Sequence, residues 1–247
     1  MGNWSRGPFA GFDLETTGTS VHEDRIVTGA VVRWGGGQRT VPLTWRSDVG
    51  GMEIPAAATA IHGIDTEAAR SAGRPAAVVV EEITAALAGY AAQGFPLVAM
   101  NASFDFTILE AECARYGVPS LWGRSTGWGR STPVVLDPLV LDRRVKKYRK
   151  GKRNLPALCT HYCVKVTGPA HEAETDARAA CGVVDAILRR YPFLAREDLG
   201  ELHELQAGWA REQVADLRAY LARIGETVDD EPYDWPFIPS PRAGDAR

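Results

Sequence analysis

Apolar residues are grouped along the chain in short runs bounded by glycine, proline and charged residues. The first run reads PFAGFDL, and the second and third are rich in β-branched residues and are separated by three consecutive glycines. Two β-branched runs joined by such a turn are typical of a β-hairpin. The sequence predicts five strands, at residues 8–14, 25–34, 38–47, 96–100 and 133–136.

Between and after these strands, apolar residues recur every three or four positions, which is the period of a helix. We expect a helix at residues 75–93, and another that Ser103 caps and Gly117 ends. Two more helices are predicted near residues 155–163 and 177–188. An antiparallel start followed by helical crossovers predicts an α/β fold, with a mixed five-stranded sheet between helices.

The pattern changes in the last quarter of the chain. A long amphipathic helix is predicted at residues 197–224, and the acidic, proline-containing sequence at residues 225–247 predicts a mostly disordered tail. The chain therefore divides into a main domain at residues 7–192, a helical extension and a tail. Three aromatic residues of the tail are candidate anchors, namely Tyr233, Trp235 and Phe237.

Composition limits the class of protein. The chain has 247 residues, of which 45% are hydrophobic and 24% charged, which is enough for one substantial core. The sequence has no run of 18 apolar residues and no secretory pattern, so we expect a cytoplasmic protein without a membrane partner. Cys159, His161 and Cys163 lack the second ligand pair of a zinc site, so we expect reduced thiols in a core helix.

Two acids lie at the end of the first predicted strand. Asp13 and Glu15 are two positions apart, so their side chains point to the same side of a strand. Carboxylate oxygens are the ligands that Mg²⁺ and Mn²⁺ prefer, although a solvated strand end is an open alternative. Asp105 and Asp176 each lie near the start of a predicted helix, where strand and helix ends converge on one edge of the sheet. His171 lies five residues before Asp176.

Three motifs, FDLETTG, NASFD and HEAETDA, together resemble those of the DEDDh-type, DnaQ-like 3′-5′ exonucleases. This family includes the epsilon proofreading subunit of bacterial DNA polymerase III, ribonuclease T and oligoribonuclease. The resemblance covers residues 9–190 and implies a ribonuclease H-like fold. It also implies that Asp13, Glu15, Asp105 and Asp176 hold two divalent ions, Mg²⁺ or Mn²⁺, with His171 as general base. A sister subclass has a tyrosine where this chain has Glu172.

The resemblance also suggests contacts to the 3′-terminal nucleotide. The loop IHGI interrupts helical sequence at residues 55–70 and resembles a family loop that packs on this nucleotide, although a helix end at Gly63 would explain it as well. The predicted substrate-binding residues are Leu14, Thr16, Thr17, Gly18, Ile61, His62, Asn101 and Phe104.

The charge of the chain is unevenly distributed. Net charge is −3, yet residues 143–153 carry eight cations in eleven positions and residues 226–234 carry five acids in nine. The cationic segment could guide a phosphate backbone towards the site or be an ordinary solvated loop. The residues assigned to possible nucleic-acid guidance are Arg149, Lys150, Lys152 and Arg153.

The leading hypothesis is a metal-dependent 3′-5′ exonuclease that acts on single-stranded or frayed DNA and releases nucleoside 5′-monophosphates. RNA is the alternative substrate, because nothing in the sequence reads the 2′-hydroxyl decisively. A second alternative is a non-catalytic module whose C-terminal helix docks on a polymerase or repair partner. The sequence leaves open a role in proofreading, repair or turnover.

Overall fold

The computed structural model describes residues 4–37, 39–126, 132–226 and 233–239. The mixed five-stranded sheet is confirmed, with strand order β3-β2-β1-β4-β5. Strand β1 pairs antiparallel with β2 on one side and parallel with β4 on the other, and β4 pairs parallel with β5. The strands are Phe9–Thr16 (β1), Ile26–Trp34 (β2), Val41–Arg46 (β3), Leu97–Val98 (β4) and Val135–Leu136 (β5).

Helices cover both faces of this sheet, as predicted. The helices are Ala56–His62 (α1), Thr66–Ala72 (α2), Ala76–Ala92 (α3), Ala102–Tyr116 (α4), Leu121–Thr126 (α5), Pro138–Val145 (α6), Leu155–Tyr162 (α7), Ala173–Arg190 (α8) and Leu199–Arg223 (α9). Helices α3 and α4 pack on one face, where Phe12 meets Phe106, and α8 packs on the other.

A glycine sets the distance between β1 and α8. A Cβ atom at Gly11 would lie 2.6 Å from the carbonyl oxygen of Ala177 and 2.7 Å from the Sγ atom of Cys181. Both distances are shorter than real Cβ contacts, so any side chain here would push α8 away from the sheet. This close approach brings the first turn of α8 beside the end of β1, where Asp13 and Glu15 lie.

The start of α4 differs from the prediction. Asn101, in a left-handed conformation with φ of 60°, is the N-cap residue, whereas Ser103 lies inside the first turn. The predicted Ser103 cap is wrong because a distant residue satisfies the amides at this helix start. The Asp137 carboxylate accepts the N–H groups of Asn101 at 3.2 Å and Ala102 at 3.0 Å. The predicted helix end at Gly117 is confirmed.

The long C-terminal helix forms, but only its first half is packed. Leu202, Gln206 and Trp209 are buried against the domain, and Gln206 Oε1 accepts the N–H of Asp137 at 2.9 Å. The apolar stripe was predicted to continue to residue 224, yet Leu217 and Ile224 are 48% and 54% exposed. The helix extends past the surface on which its first half packs.

Part of the tail packs on the domain. Trp235 is 3% exposed, and the rings of Phe237 and Trp122 are in contact at 4.7 Å, so two predicted anchors are observed. Tyr233 is the third, and its hydroxyl group lies 2.8 Å from Ser103 Oγ. The prediction of disorder for the rest of the tail falls largely outside the described residues. In the part of the chain described, no helix has the length and hydropathy needed to cross a bilayer.

Candidate active site

The fold brings four acids from three elements to one edge of the sheet. Asp13 and Glu15 lie at the end of β1, Asp105 lies in the first turn of α4, and Asp176 lies in the first turn of α8. The amide of Leu14, between the two strand acids, donates a hydrogen bond to Asp105 Oδ1 at 3.0 Å. This bond ties α4 to β1 and fixes one Asp105 oxygen relative to the strand.

His171 completes the cluster. Within the described residues, Glu15, His171 and Asp176 form a group whose potential ligand atoms all lie within 4.8 Å of one another. The backbone N–H of His171 donates to Asp176 Oδ2 at 3.3 Å, and His171 has a left-handed φ of 60°. The side chain is exposed, so it lies at the solvent side of the acids.

The electrostatics of the cluster disfavour its ionised form. Burial, and then the charges of Asp105, Asp176 and Glu15, raise the pKa of Asp13 well above its usual value. Burial and then Asp176 raise the pKa of Glu15 to about 7. The pKa of Asp105 is raised by burial despite the Leu14 hydrogen bond, and that of Asp176 is raised by burial despite contacts with His171. The groups that shift these pKa values include no lysine or arginine.

These residues fit the divalent cations that the sequence implies. Four clustered carboxylates, whose one basic neighbour among the groups that shift their pKa values is His171, are destabilising unless a cation binds. Carboxylate oxygens suit hard ions such as Mg²⁺ and Mn²⁺. Cys159 and Cys163 lie elsewhere, on α7 and at its C-cap, and none of the four cysteines is in a disulfide.

The turn after β1 presents some of the predicted substrate residues and buries others. Leu14 is 6% exposed and Thr17 is 2% exposed, so their side chains support the site from beneath instead of facing it. The Thr17 hydroxyl donates to Asp24 Oδ1 at 2.6 Å, and the Thr16 hydroxyl donates to the Gly18 carbonyl at 2.6 Å. A Cβ atom at Gly18 would lie 2.6 Å from Asp24 Oδ2, so this compact turn requires glycine.

The loop IHGI lies across from His171. Gly63 ends α1 with φ of 76°, and Ile61 is 57% exposed. Burial lowers the pKa of His62, and the nearby His171 lowers it further. The Nδ1 atom of His62 accepts the N–H of Ile64 at 3.2 Å, so the ring is held by its own loop on the side of the site where His171 lies.

A groove that the sequence did not reveal leads away from this point. It has a volume of about 850 Å³, and its lining includes His62 and His171 at one end and Thr28, Thr44 and Arg46 on the sheet. The strand residues had no sequence signal because alternation on β2 and β3 indicates only which face is exposed. Asp137 was also not among the predicted site residues. It directly follows the buried strand β5, just as Asp13 directly follows the buried residue Phe12.

The basic segment is divided between two roles. Arg149 and Arg153 both pair with the fully buried carboxylate of Asp142 on α6, so these two arginines have a role in the fold that their assignment to nucleic-acid guidance did not include. Their partner could not be recognised in sequence, because Asp142 resembles any helical surface acid. Lys150 and Lys152 are exposed.

The fold and its acidic cluster define a ribonuclease H-like nuclease domain. A family model for exonucleases, RNase_T, matches residues 10–184, and the chain belongs to this family of DnaQ-like 3′-5′ exonucleases. No curated protein matches the sequence.

Solved structures of exonuclease I share the fold. The enzyme from Methylocaldum szegediense is 21% identical, with a TM-score of 0.62, over 76% of this chain and 42% of that one. Escherichia coli exonuclease I in complex with a dT13 oligonucleotide is 20% identical, with a TM-score of 0.60, over the same shares of the two chains. The match thus spans less than half the length of these enzymes.

Proposed function

We propose that this protein is a metal-dependent 3′-5′ exonuclease that removes nucleoside 5′-monophosphates from single-stranded or frayed DNA. One observation carries the proposal, namely the convergence of Asp13, Glu15, Asp105, Asp176 and His171 at one edge of the sheet. Family membership supports the reaction class.

Each acid has a stated part in this proposal. Asp13, Glu15, Asp105 and Asp176 would hold two divalent cations, Mg²⁺ or Mn²⁺, which when bound neutralise charge on the attacking and leaving oxygens of a phosphodiester. The Leu14 amide keeps one Asp105 oxygen directed towards the strand. The charges of the other three acids all raise the pKa of Asp13, so Asp13 would be the ligand nearest the centre of the set.

His171 is the proposed general base. Its exposed imidazole lies near Glu15 and Asp176, and a neutral imidazole can take a proton from an attacking water near neutral pH. The left-handed backbone and the bond from its own N–H to Asp176 hold the loop at the start of α8.

Single-stranded DNA is the favoured substrate class. The E. coli exonuclease I structures contain dT13 and dA16 oligonucleotides, and the groove beside His62 and His171 offers an open path for a strand. Thr16, Gly18, Ile61, His62, Asn101 and Phe104 would contact the 3′-terminal nucleotide. Such contacts address a chain end instead of base edges, so cleavage would be largely independent of sequence.

RNA and a non-catalytic role are the remaining alternatives. An exoribonuclease would use the same acids. A binding module without catalytic activity would not need all four acids and His171 to be present. A polymerase or repair partner for the C-terminal helix has no support in the comparisons. The first half of α9 already packs on the domain, which leaves only its exposed second half for such a partner.

A gel assay tests the proposal. We expect 5′-labelled single-stranded DNA to shorten from its 3′ end with Mg²⁺ or Mn²⁺ and to stay intact with EDTA, and duplex DNA and RNA of the same sequence rank the substrates. Asp176→Asn should lose about a thousandfold or more in rate, because a cation ligand is removed. His171→Ala should lose about a hundredfold or more.

His161→Ala, on the remote helix α7, is the matched control and should keep wild-type activity. Intact strands under every condition, from a folded protein, would contradict the proposed function. A His171→Ala variant with wild-type activity would contradict the assignment of the base.

A further inference from the structure

A segment of the tail crosses the back of the candidate site. Residues 233–239, here called the strap, contact α4 at two points four residues apart. The Tyr233 hydroxyl lies 2.8 Å from Ser103 Oγ, and the Ile238 amide donates to Thr107 Oγ1 at 2.8 Å. Ser103 and Thr107 are 3% and 4% exposed, so the strap supplies buried hydroxyl groups with partners.

A chain of aromatic contacts runs from the strap into the core. Phe237 meets Trp122 at 4.7 Å, Trp122 meets Phe106 at 5.4 Å, and Phe106 meets Phe12 at 5.4 Å. Phe12 and Phe106 are the immediate neighbours of two acids of the site, Asp13 and Asp105. The strap thus packs against the same layer of side chains that fixes the backbone of both metal ligands.

The far end of the strap reaches the other wall of the site. The carbonyl of Pro239 lies 3.1 Å from His22 Nε2. His22 belongs to the turn after β1 in which Asp24 holds the Thr17 hydroxyl and the Ser20 amide. The strap therefore spans from the first turn of α4 to the turn that carries Thr16 and Gly18.

The start of α4 needs such support. Asn101 is a non-glycine residue with φ of 60°, a conformation that surrounding structure must hold in place. Its amide is held from one side by Asp137, beside which Trp235 of the strap lies. Tyr233 holds the same helical turn through Ser103, the residue immediately before Phe104.

We propose that Tyr233 is a positioning residue of the nuclease. Resting on the proposed function, this assigns to the strap the task of setting the position of Phe104 relative to the turn at Thr16 and Gly18. The tail is then part of the substrate site and not a separate appendage. Loss of the hydroxyl should loosen the pocket for the 3′-terminal nucleotide while leaving the core intact.

The test compares Tyr233→Phe with Tyr90→Phe, a matched control on α3. Tyr233→Phe should raise KM for a single-stranded oligonucleotide by about two- to tenfold, the range for one hydrogen bond, with kcat within about twofold of wild type. Amide hydrogen exchange of residues 102–107 should become faster by a similar factor, because local opening of this turn becomes easier. Tyr90→Phe should change neither quantity.

Two further variants locate the effect. Ser103→Ala should act like Tyr233→Phe, and the double variant should be no worse than either one, because both remove the same pair. Phe237→Leu should act in the same direction from the other end of the strap, through weaker contact with Trp122.

Unchanged exchange and KM in Tyr233→Phe and Phe237→Leu would overturn the proposal. Faster exchange with an unchanged KM would also overturn it, because the strap would then contribute only to stability. A wild-type protein without activity on any nucleic acid would instead refute the proposed function. The exchange comparison needs no turnover and would still decide whether the strap holds α4.

Discussion

Two regions of this protein bury acids in opposite ways. On α6, the fully buried carboxylate of Asp142 accepts a hydrogen bond from the Tyr162 hydroxyl at 2.8 Å and pairs with the guanidinium groups of Arg149 and Arg153. At the candidate site, the partly buried Asp13 and the buried Asp105 lie beside further carboxylates, and burial raises the pKa of both.

The difference shows which acid serves the fold and which serves a ligand. A buried charge is tolerated when the protein supplies its partner, and Asp142 receives two cations from the segment that follows α6. No lysine or arginine is among the groups that shift the pKa values of the site acids, so most of their negative charge is uncompensated and a divalent cation would relieve it. Asp142 and Asp105, which are both buried, can therefore be distinguished by their partners.

The largest expected effect that tests this difference between Asp142 and the site acids is a change in the free energy of unfolding. Asp142→Asn should lower the free energy of unfolding by about 3 kcal/mol, because it leaves two partly buried guanidinium groups without their counter-charge. Asp13→Asn, with EDTA present, should instead raise stability, because it removes one of several repelling carboxylates. Urea denaturation followed by circular dichroism measures both.

The same titrations with Mn²⁺ provide the control, since the cation should stabilise wild type and Asp142→Asn but not Asp13→Asn. The comparison fails if Asp13→Asn without metal is destabilised as much as Asp142→Asn.

A smaller effect is expected in the dependence of stability on pH. The pKa of Glu15 is raised from its ordinary value of 4.5 to about 7 in the folded protein. Glu15 therefore contributes stability that is fully present below its unfolded pKa and is lost as pH rises through about 7. With EDTA, we expect a loss of about 1–2 kcal/mol over this window, after allowing for the partial exposure of the group.

Thermal unfolding between about pH 5 and about pH 8 checks this expectation. Glu15→Gln should flatten the slope, whereas Glu53→Gln, at an exposed position outside the site, should keep it. A slope that Glu15→Gln leaves unchanged would assign the titration to another group.

Local rules were sufficient to predict the sheet and the acids. Alternation along β1 placed Asp13 and Glu15 on one side of the strand, and the observed strand confirms that both lie at its end. The positions of Asp105 and Asp176 followed from helix starts, which the structure places in the first turns of α4 and α8. These features depend on neighbours within a few residues.

Features that depend on distant partners could not be predicted. The start of α4 was assigned to Ser103 because serine is a common cap, yet Asp137, about thirty-five residues away, satisfies the helix instead. Amphipathic periodicity predicts which face of α9 is apolar, but not where the domain surface that covers this face ends. The residue at which α9 stops packing on the domain could therefore not be predicted. The strap contacts pair residues more than a hundred positions apart, as in Tyr233 with Ser103.

The smallest expected effect concerns the exposed part of the basic segment. If all four cations assigned there contacted phosphates of a single strand, the log-log dependence of affinity on salt would have a slope of about −3 from this segment. Because Arg149 and Arg153 are held against Asp142, Lys150 and Lys152 are the exposed members of this set, and the contribution expected from these two lysines is about −1.4. The double variant Lys150→Ala and Lys152→Ala should reduce the measured slope by that amount without changing stability.

Fluorescence anisotropy of a labelled oligonucleotide over a salt series measures this slope, with Lys165→Ala, outside the basic segment, as the matched control. An unchanged slope would show that Lys150 and Lys152 belong to an ordinary solvated loop and do not guide the strand.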